Sequence, residues 1–415
     1  MQLADASTAG SAAGSTASTT AATASPARPP RVCFVNLGAV AALDSGHDDH
    51  PVGGEEVQHA LLASAFAAKG WDVSLVTHDL GQADGARIDG VRVHGCYAPH
   101  AGWPGLRFIT PRWTGLHAAL RRADADVYYT SCAGSLIGQV ALFAQLHQRR
   151  TVFRIASDTD CVPARVLVGT ARERALYHWG LRRCDVVLAQ TPLQVDLMQQ
   201  HHRIAAALAP MLIDLPEDTA AIQHAPRDID VLWVANLRAL KRPEMLVEAA
   251  RQLPHLKFHL VGGATEAEPE VAERVTQAAR DVPNLTLHGR RGYRDTLTLF
   301  ARARVFVSTS HTEGFPNTFL QAWAHEVPSV SFFDPDGLVA RHGLGARIDA
   351  FEALVQAIDR LSSDPTHHAH AAQACRTFMR TRYRRDALLA PYEQAFMTLH
   401  SGPTDDRTGA RPCLA

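Results

Sequence analysis

The stretch His311–Gln321 (HTEGFPNTFLQ) gathers residue types that can hold an anion and a polyol. A strand-like run, VFVST, enters a Gly/Pro loop, and a helix is predicted to open near Asn317–Thr318. A helix start offers unpaired backbone N–H groups and the positive end of the dipole, so it suits a phosphate. Glu313 stands just before it, where a carboxylate can accept hydrogen bonds from hydroxyls. Gln321 lies one turn inside and can reach the same place. Ordinary capping by Asn or Thr is the competing reading. Lys241, in VLWVANLRALKRPE, is one of only three lysines among 41 basic residues. A compact ammonium is a good point partner for phosphate. The pair Gly53–Gly54 lets backbone approach a ligand closely.

The elements that must position these residues alternate along the chain. Short apolar runs (Arg31–Leu37, Asp72–Thr77, Val91–Tyr97, Val127–Thr130, Thr151–Ile155, Asp185–Gln190) read as strands, with helix patterns such as Glu55–Lys69 between them. The pattern restarts at Asp230–Ala235 and continues through Lys257–Val261, Leu285–His288, Val305–Ser308 and Ser329–Phe332. Continuous apolar strands alternating with helices predict parallel sheets covered on both faces. The fold class is therefore α/β, with two doubly wound Rossmann-like halves facing across a cleft, where ligands are expected beyond the carboxyl ends of the strands.

The boundaries follow. Residues 1–29, almost all Ala, Ser, Thr, Gly and Pro, are expected to be a disordered tail without a signal peptide. The first domain spans 30–208, a Pro- and acid-rich linker 209–228, the second domain 229–382, a last helix 383–400 and a loose tail 401–415.

Composition excludes several classes. Of 415 residues, 46% are hydrophobic and 20% charged, enough for two cores. A net charge of −1 speaks against a nucleic-acid coat. No window approaches a membrane span. Seven scattered cysteines without a Cys-x-x-Cys pair suggest neither zinc nor disulfides, and fit a reducing cytoplasm. The group His367, His368 and His370 follows Ser-Ser-Asp-Pro and reads as a helix start; no metal site is expected. The run Trp103, Arg107, Phe108, Arg112, Trp113, Arg121 and Arg122 suits a membrane interface or a lipid-linked acceptor, and equally a buried helix with a surface loop.

Glu313–Val330 (EGFPNTFLQAWAHEVPSV) resembles the signature of glycosyltransferase family 4, retaining enzymes of the GT-B fold. In that family the first Glu of the signature meets the donor sugar and the second the ribose. Glu313 matches the first; Gln321 replaces the second and brings hydrogen bonds without charge. The resemblance implies that Gly314, Phe315, Pro316, Asn317 and Thr318 line the donor. In the family an Arg and a Lys after the first strand of the second domain hold the diphosphate. Lys241 matches the Lys, whereas Asn236 occupies the Arg position and Arg238, two residues on, is assigned the role instead. Gly53–Gly54 resembles the Gly-Gly-x-Glu start of the first helix, under the donor phosphates and acceptor. Asp158, with Asp160 second, stands where relatives place a residue near the reacting sugar; an Asx-type turn is the alternative. Arg290 or Arg291, after a strand, resembles the loop near the base. The first domain is then the acceptor side, the second the donor side, and the last helix crosses back to the first domain.

The activity implied is metal-independent transfer, with retention, of a sugar from a nucleotide-diphosphate sugar to a carbohydrate or lipid-linked hydroxyl in polysaccharide or glycolipid synthesis. No cofactor or nucleic acid is expected; the location implied is the cytoplasm or the inner membrane face. A nucleotide-sugar 2-epimerase and a binding protein without catalysis are the alternatives.

Overall fold

The structure is a computed structural model that describes residues 28–44, 46, 50, 52–215, 226–311 and 315–401; the two expected tails fall almost wholly outside these. The first sheet comprises β1 (Val32–Val35), β2 (Val73–Thr77), β3 (Arg87–Ile88), β4 (Val91–Gly95), β5 (Val127–Ser131), β6 (Arg150–Arg154), β7 (Val186–Ala189) and β8 (Ala206–Leu208). Their spatial order is β3-β4-β2-β1-β5-β6-β7-β8. The second sheet comprises β9 (Ile229–Val234), β10 (Phe258–Val261), β11 (Leu285–Gly289), β12 (Ala303–Ser308), β13 (Ser329–Ser331) and β14 (Gly345–Arg347), in the order β11-β10-β9-β12-β13-β14. Among the described strands only the β3–β4 pair is antiparallel.

β1 is buried along its whole length because it lies between β2 and β5, with Phe34 opposite Leu75 and Tyr129. The chain winds outward from it in both directions, which opens a crevice above its carboxyl end. β9 repeats the arrangement between β10 and β12. The helix Gly54–Ala68 packs over the first crevice; it is Ala- and Leu-rich, and Gly70 at φ 83° ends it by reversing the chain.

Three short edge strands, β3, β8 and β14, lie outside the apolar runs read from the sequence. The segment read as a linker also differs at its start. Ala209, Met211, Leu212 and Ile213 are buried, and Leu212 exchanges two hydrogen bonds with Gln58 of the first helix. Apolar side chains there cover the seam between the sheets, so local Pro and acid content does not decide burial. The helix Arg385–Ser401 lies on the first domain: Phe396 meets Phe66, Phe34 and Trp71 at ring-centroid distances of 5.3, 6.2 and 6.2 Å.

Candidate functional site

In the second domain, the site is built at the carboxyl ends of β9, β12 and β13. After β9 the chain makes a tight turn, Ala239–Lys241, and leaves it through Arg242 in the left-handed conformation (φ 48°). Thr309, just past β12, ties that turn down: its hydroxyl donates to the Lys241 carbonyl and accepts from Trp233 Nε1 at 2.9 Å. Arg242 then folds back over the strand ends. Its Nε donates to the Thr309 carbonyl at 2.6 Å, Nη1 meets His311 Nε2 at 2.6 Å, and the guanidinium lies 4.3 Å above the Phe332 ring. The left-handed turn that redirects Arg242 carries no signature in residue type.

Arg238 turns elsewhere. Its side chain, half exposed, pairs with Glu268 at 3.4 Å, and Glu268 also accepts from the Ala239 N–H at 2.6 Å. The two-residue offset from the position held by Asn236 thus gives Arg238 a carboxylate partner at the start of the helix Pro269–Ala279. Asn236 reaches across the cleft to the Val52 carbonyl at 3.4 Å. Arg290 lies flat over Gly263, where an added Cβ would sit 3.0 Å from the arginine's own Cβ, and donates to the Ala264 carbonyl at 2.7 Å.

The helix Asn317–Ala324 opens toward the first domain, with Pro316 extended before it and Phe315 packed on the core. Glu313 and Gly314 lie outside the described residues. Asn317 donates to the Gly54 carbonyl at 2.7 Å and accepts from Gln58 at 3.0 Å. The starts of two helices, one from each domain, therefore meet. A Cβ on Gly54 would stand 2.9 Å from Asn317 Nδ2, so any larger residue there must displace that amide of the neighbouring domain. At Gly53 a Cβ would come within 2.6 Å of Glu56, whose carboxylate accepts from the Gly53 N–H. Thr318 is half-buried; Gln321 is buried beside Tyr293, whose phenol burial pushes up.

In the first domain a buried ionic cluster lies beneath the glycine loop. Arg154, fully buried at the end of β6, donates to Glu55 at 2.8 Å, and Ser131 donates to the other Glu55 oxygen. An Arg inside the apolar run TVFRI was the available signal, and it points to a buried partner such as Glu55. His59, one turn beyond Glu55, is driven down to about 4 by burial. Asp160 is pushed up to about 6 by burial, while the N–H groups of Ala156 and Ser157 bind its carboxylate. Asp158 accepts from Gln194 at 3.0 Å. Asp336, in the second domain, is raised first by burial and then by Asp158, which places these carboxylates near one another across the cleft. The structure thus gathers Gly53, Gly54, Asn236 and Asn317 at one seam, sets Lys241 beside the β12 end, and holds Arg238 and Arg290 against their own domain. His367 and His368 lie in the first turn of the helix Pro365–Arg382, capped by Asp364. Among the described residues, no three His, Cys, Asp or Glu side chains converge as a metal site.

Comparison with known proteins agrees with this architecture. Residues 53–210 match the family described as glycosyl transferase 4-like domain, and residues 228–364 the family described as glycosyl transferases group 1. A D-inositol 3-phosphate glycosyltransferase of Mycolicibacterium paratuberculosis is 26% identical over 249 residues, 56% of this chain and 53% of that protein. The chain thus spans about half the length of the curated relatives it matches. Among solved structures, sucrose-phosphate synthase from Thermosynechococcus elongatus has a TM-score of 0.70 at 20% identity, covering 89% of this chain and 99% of that one. Anabaena HepE in complex with UDP and glucose has a TM-score of 0.68 at 14% identity, covering 90% of this chain and 100% of that one. At such identities the likeness is one of fold.

Proposed function

We propose that this chain, which belongs to the group 1 and 4-like glycosyl transferases, moves a sugar from a nucleotide-diphosphate sugar to a hydroxyl acceptor with retention at the anomeric carbon. The observation that carries the reading is the seam itself. Two helix starts, at Gly54 and Asn317, converge where both sheets present their strand ends, with Lys241 on the adjoining turn. Positive helix ends and an ammonium suit a leaving diphosphate. HepE, a neighbour in fold, is described with UDP-glucose, and the mycobacterial relative is named for an inositol phosphate acceptor; both favour a uridine-type donor and a polyol acceptor here.

In this reading the sugar–phosphate bond breaks as the acceptor hydroxyl attacks from the same face, and the departing phosphate takes the hydroxyl proton. Glu313 holds the sugar hydroxyls. Gln321 holds the ribose through its amide. Lys241 meets the growing charge on the diphosphate, so turnover is expected to survive EDTA without a cofactor. Asp158 borders the acceptor. Among the described residues no helix is long and apolar enough to cross a membrane. The test is a chromatographic assay for nucleotide release and glycosylated product, with the new linkage read by NMR. Glu313→Ala should lower turnover about a hundredfold, because lost binding to the sugar also misplaces it. A folded Glu313→Ala protein with unchanged turnover, or an inverted linkage, would contradict the assignment.

A further inference from the structure

The loop between β4 and the helix Thr114–Ala123 carries three large apolar side chains into solvent. Trp103 is 80% exposed, Leu106 63% and Ile109 61%. A second loop, after β6, adds Leu167 at 82%. Isolated exposed apolar residues are ordinary, but four on two adjoining loops need an explanation. The loops are joined: the Arg172 guanidinium lies 3.6 Å above the Phe108 ring. Both spring from carboxyl ends of strands, the edge of the sheet that faces the cleft. His100 comes within 4.0 Å of Glu266 of the second domain, so the first loop stands at the cleft mouth.

Within the two loop segments the charge is one-sided, with Glu266 and Glu173 beside them. Residues 98–123 contain no Asp or Glu but carry Arg107 and Arg112, and residues 161–172 contain none but carry Arg165 and Arg172. The whole chain has a net charge of −1, so this is a local concentration rather than a general excess. A water-facing loop has no need of Trp, Leu and Ile. Aromatic and aliphatic tips interleaved with Arg, and free of acid, match the boundary of an anionic bilayer: the tips enter the headgroup layer while the guanidiniums meet phosphates.

We propose that the face formed by Trp103, Leu106, Ile109 and Leu167 docks on an anionic lipid surface and thereby presents the cleft to a lipid-carried acceptor. The choice of acceptor rests on the transferase reading; the docking itself does not. Docking is measured without turnover, by flotation of the full chain with phosphatidylcholine vesicles, with and without phosphatidylglycerol. The protein should float with the phosphatidylglycerol vesicles, fall away as salt is raised, and stay behind with phosphatidylcholine alone. Trp103→Ser, Leu106→Ser and Ile109→Ser together should lower the partition at least about tenfold. Arg107→Glu with Arg165→Glu should lower it comparably, through charge. These positions are exposed, and an unchanged melting temperature checks folding. Failure to float with phosphatidylglycerol vesicles, or equal flotation of the triple variant, overturns the proposal. So does self-association that the triple variant abolishes. Vesicle binding without any sugar transfer would leave this surface intact and remove the transferase reading instead.

Discussion

Lys241 and Arg238 stand on one turn, yet Arg238 is drawn to Glu268 on the second domain's own surface. An exposed pair of this kind is worth little. Arg238→Ala should therefore change kcat/KM by about twofold or less, as for other exposed side chains. Lys241→Ala should lower it about ten- to a hundredfold, because a charge-assisted contact to a phosphate is worth roughly 1.5–3 kcal/mol. Steady-state kinetics of the two variants check this, and an equal loss in both would return Arg238 to the diphosphate. Titration of the buried cluster gives a second prediction. His59 binds its proton only near pH 4 when folded, against about 6.5 when unfolded, so stability is lost as pH falls between these values. The amount is on the order of 3 kcal/mol. Asp160, raised to about 6, acts with the opposite sign: its folded form holds a proton that the unfolded chain has released, and stability is gained as pH falls from about 6. Asp160→Asn should thus steepen the loss of melting temperature between pH 6.5 and 4, and His59→Gln should flatten it. A set of thermal melts across that range decides; identical profiles for all three proteins would contradict the burial of these groups.

At the scale of elements, the informative contact is between two helix starts. Asn317 bonds both Gly54 and Gln58, and Gln58 in turn holds the backbone of Leu212. Gly54→Ala pushes a methyl against Asn317 Nδ2, 2.9 Å from where the Cβ would stand. The amide can swing away, but only by giving up its bonds, each worth about 0.5–1.5 kcal/mol. The variant should melt a few degrees lower and raise the donor KM several-fold, measured by calorimetry and initial rates; wild-type values for both would show that the seam does not set the donor site. This contact also marks what could be read in advance. The Gly-Gly pair announced itself by composition, but as a ligand approach rather than a helix junction, because the partner Asn317 is 263 residues away. Long apolar runs such as those of β1, β2, β9 and β12 were legible because a strand buried on both faces needs continuous Val, Leu and Ile. β3, β8 and β14 were not, since edge strands of two or three residues carry no periodicity. Arg154 was visible only as an irregularity in an apolar strand; its meaning depends on Glu55, which the sequence places 99 residues earlier. Lys241 stood out by rarity, whereas Arg242 needed the left-handed turn before it could be aimed at His311.

For the molecule as a whole, the last helix makes the two domains interdependent. Arg385–Ser401 follows the second domain but buries Tyr392 and Phe396 against the first sheet, with the Tyr392 hydroxyl donating to the carbonyls of Ala209 and Pro210. Phe396→Ala removes a fully buried ring in contact with Phe34, Phe66 and Trp71, which should cost about 3–5 kcal/mol. Loss of stability in the first domain from a substitution in the last helix, followed by denaturant unfolding, would show that the crossing helix is part of the first domain's core. An effect below about 1 kcal/mol would mean the site collapses freely around the gap. A nucleotide-sugar site at the seam between the domains is tested by the melting temperature of the wild type and of Lys241→Ala with a panel of nucleoside diphosphate sugars, because a ligand that binds only the folded chain raises stability by mass action. At least one uridine diphosphate sugar should raise the wild-type melting temperature in a saturable way, and Lys241→Ala should lose most of the rise. A wild type indifferent to every nucleoside diphosphate sugar at millimolar concentration, or a Lys241→Ala protein that responds as fully as the wild type, would contradict it.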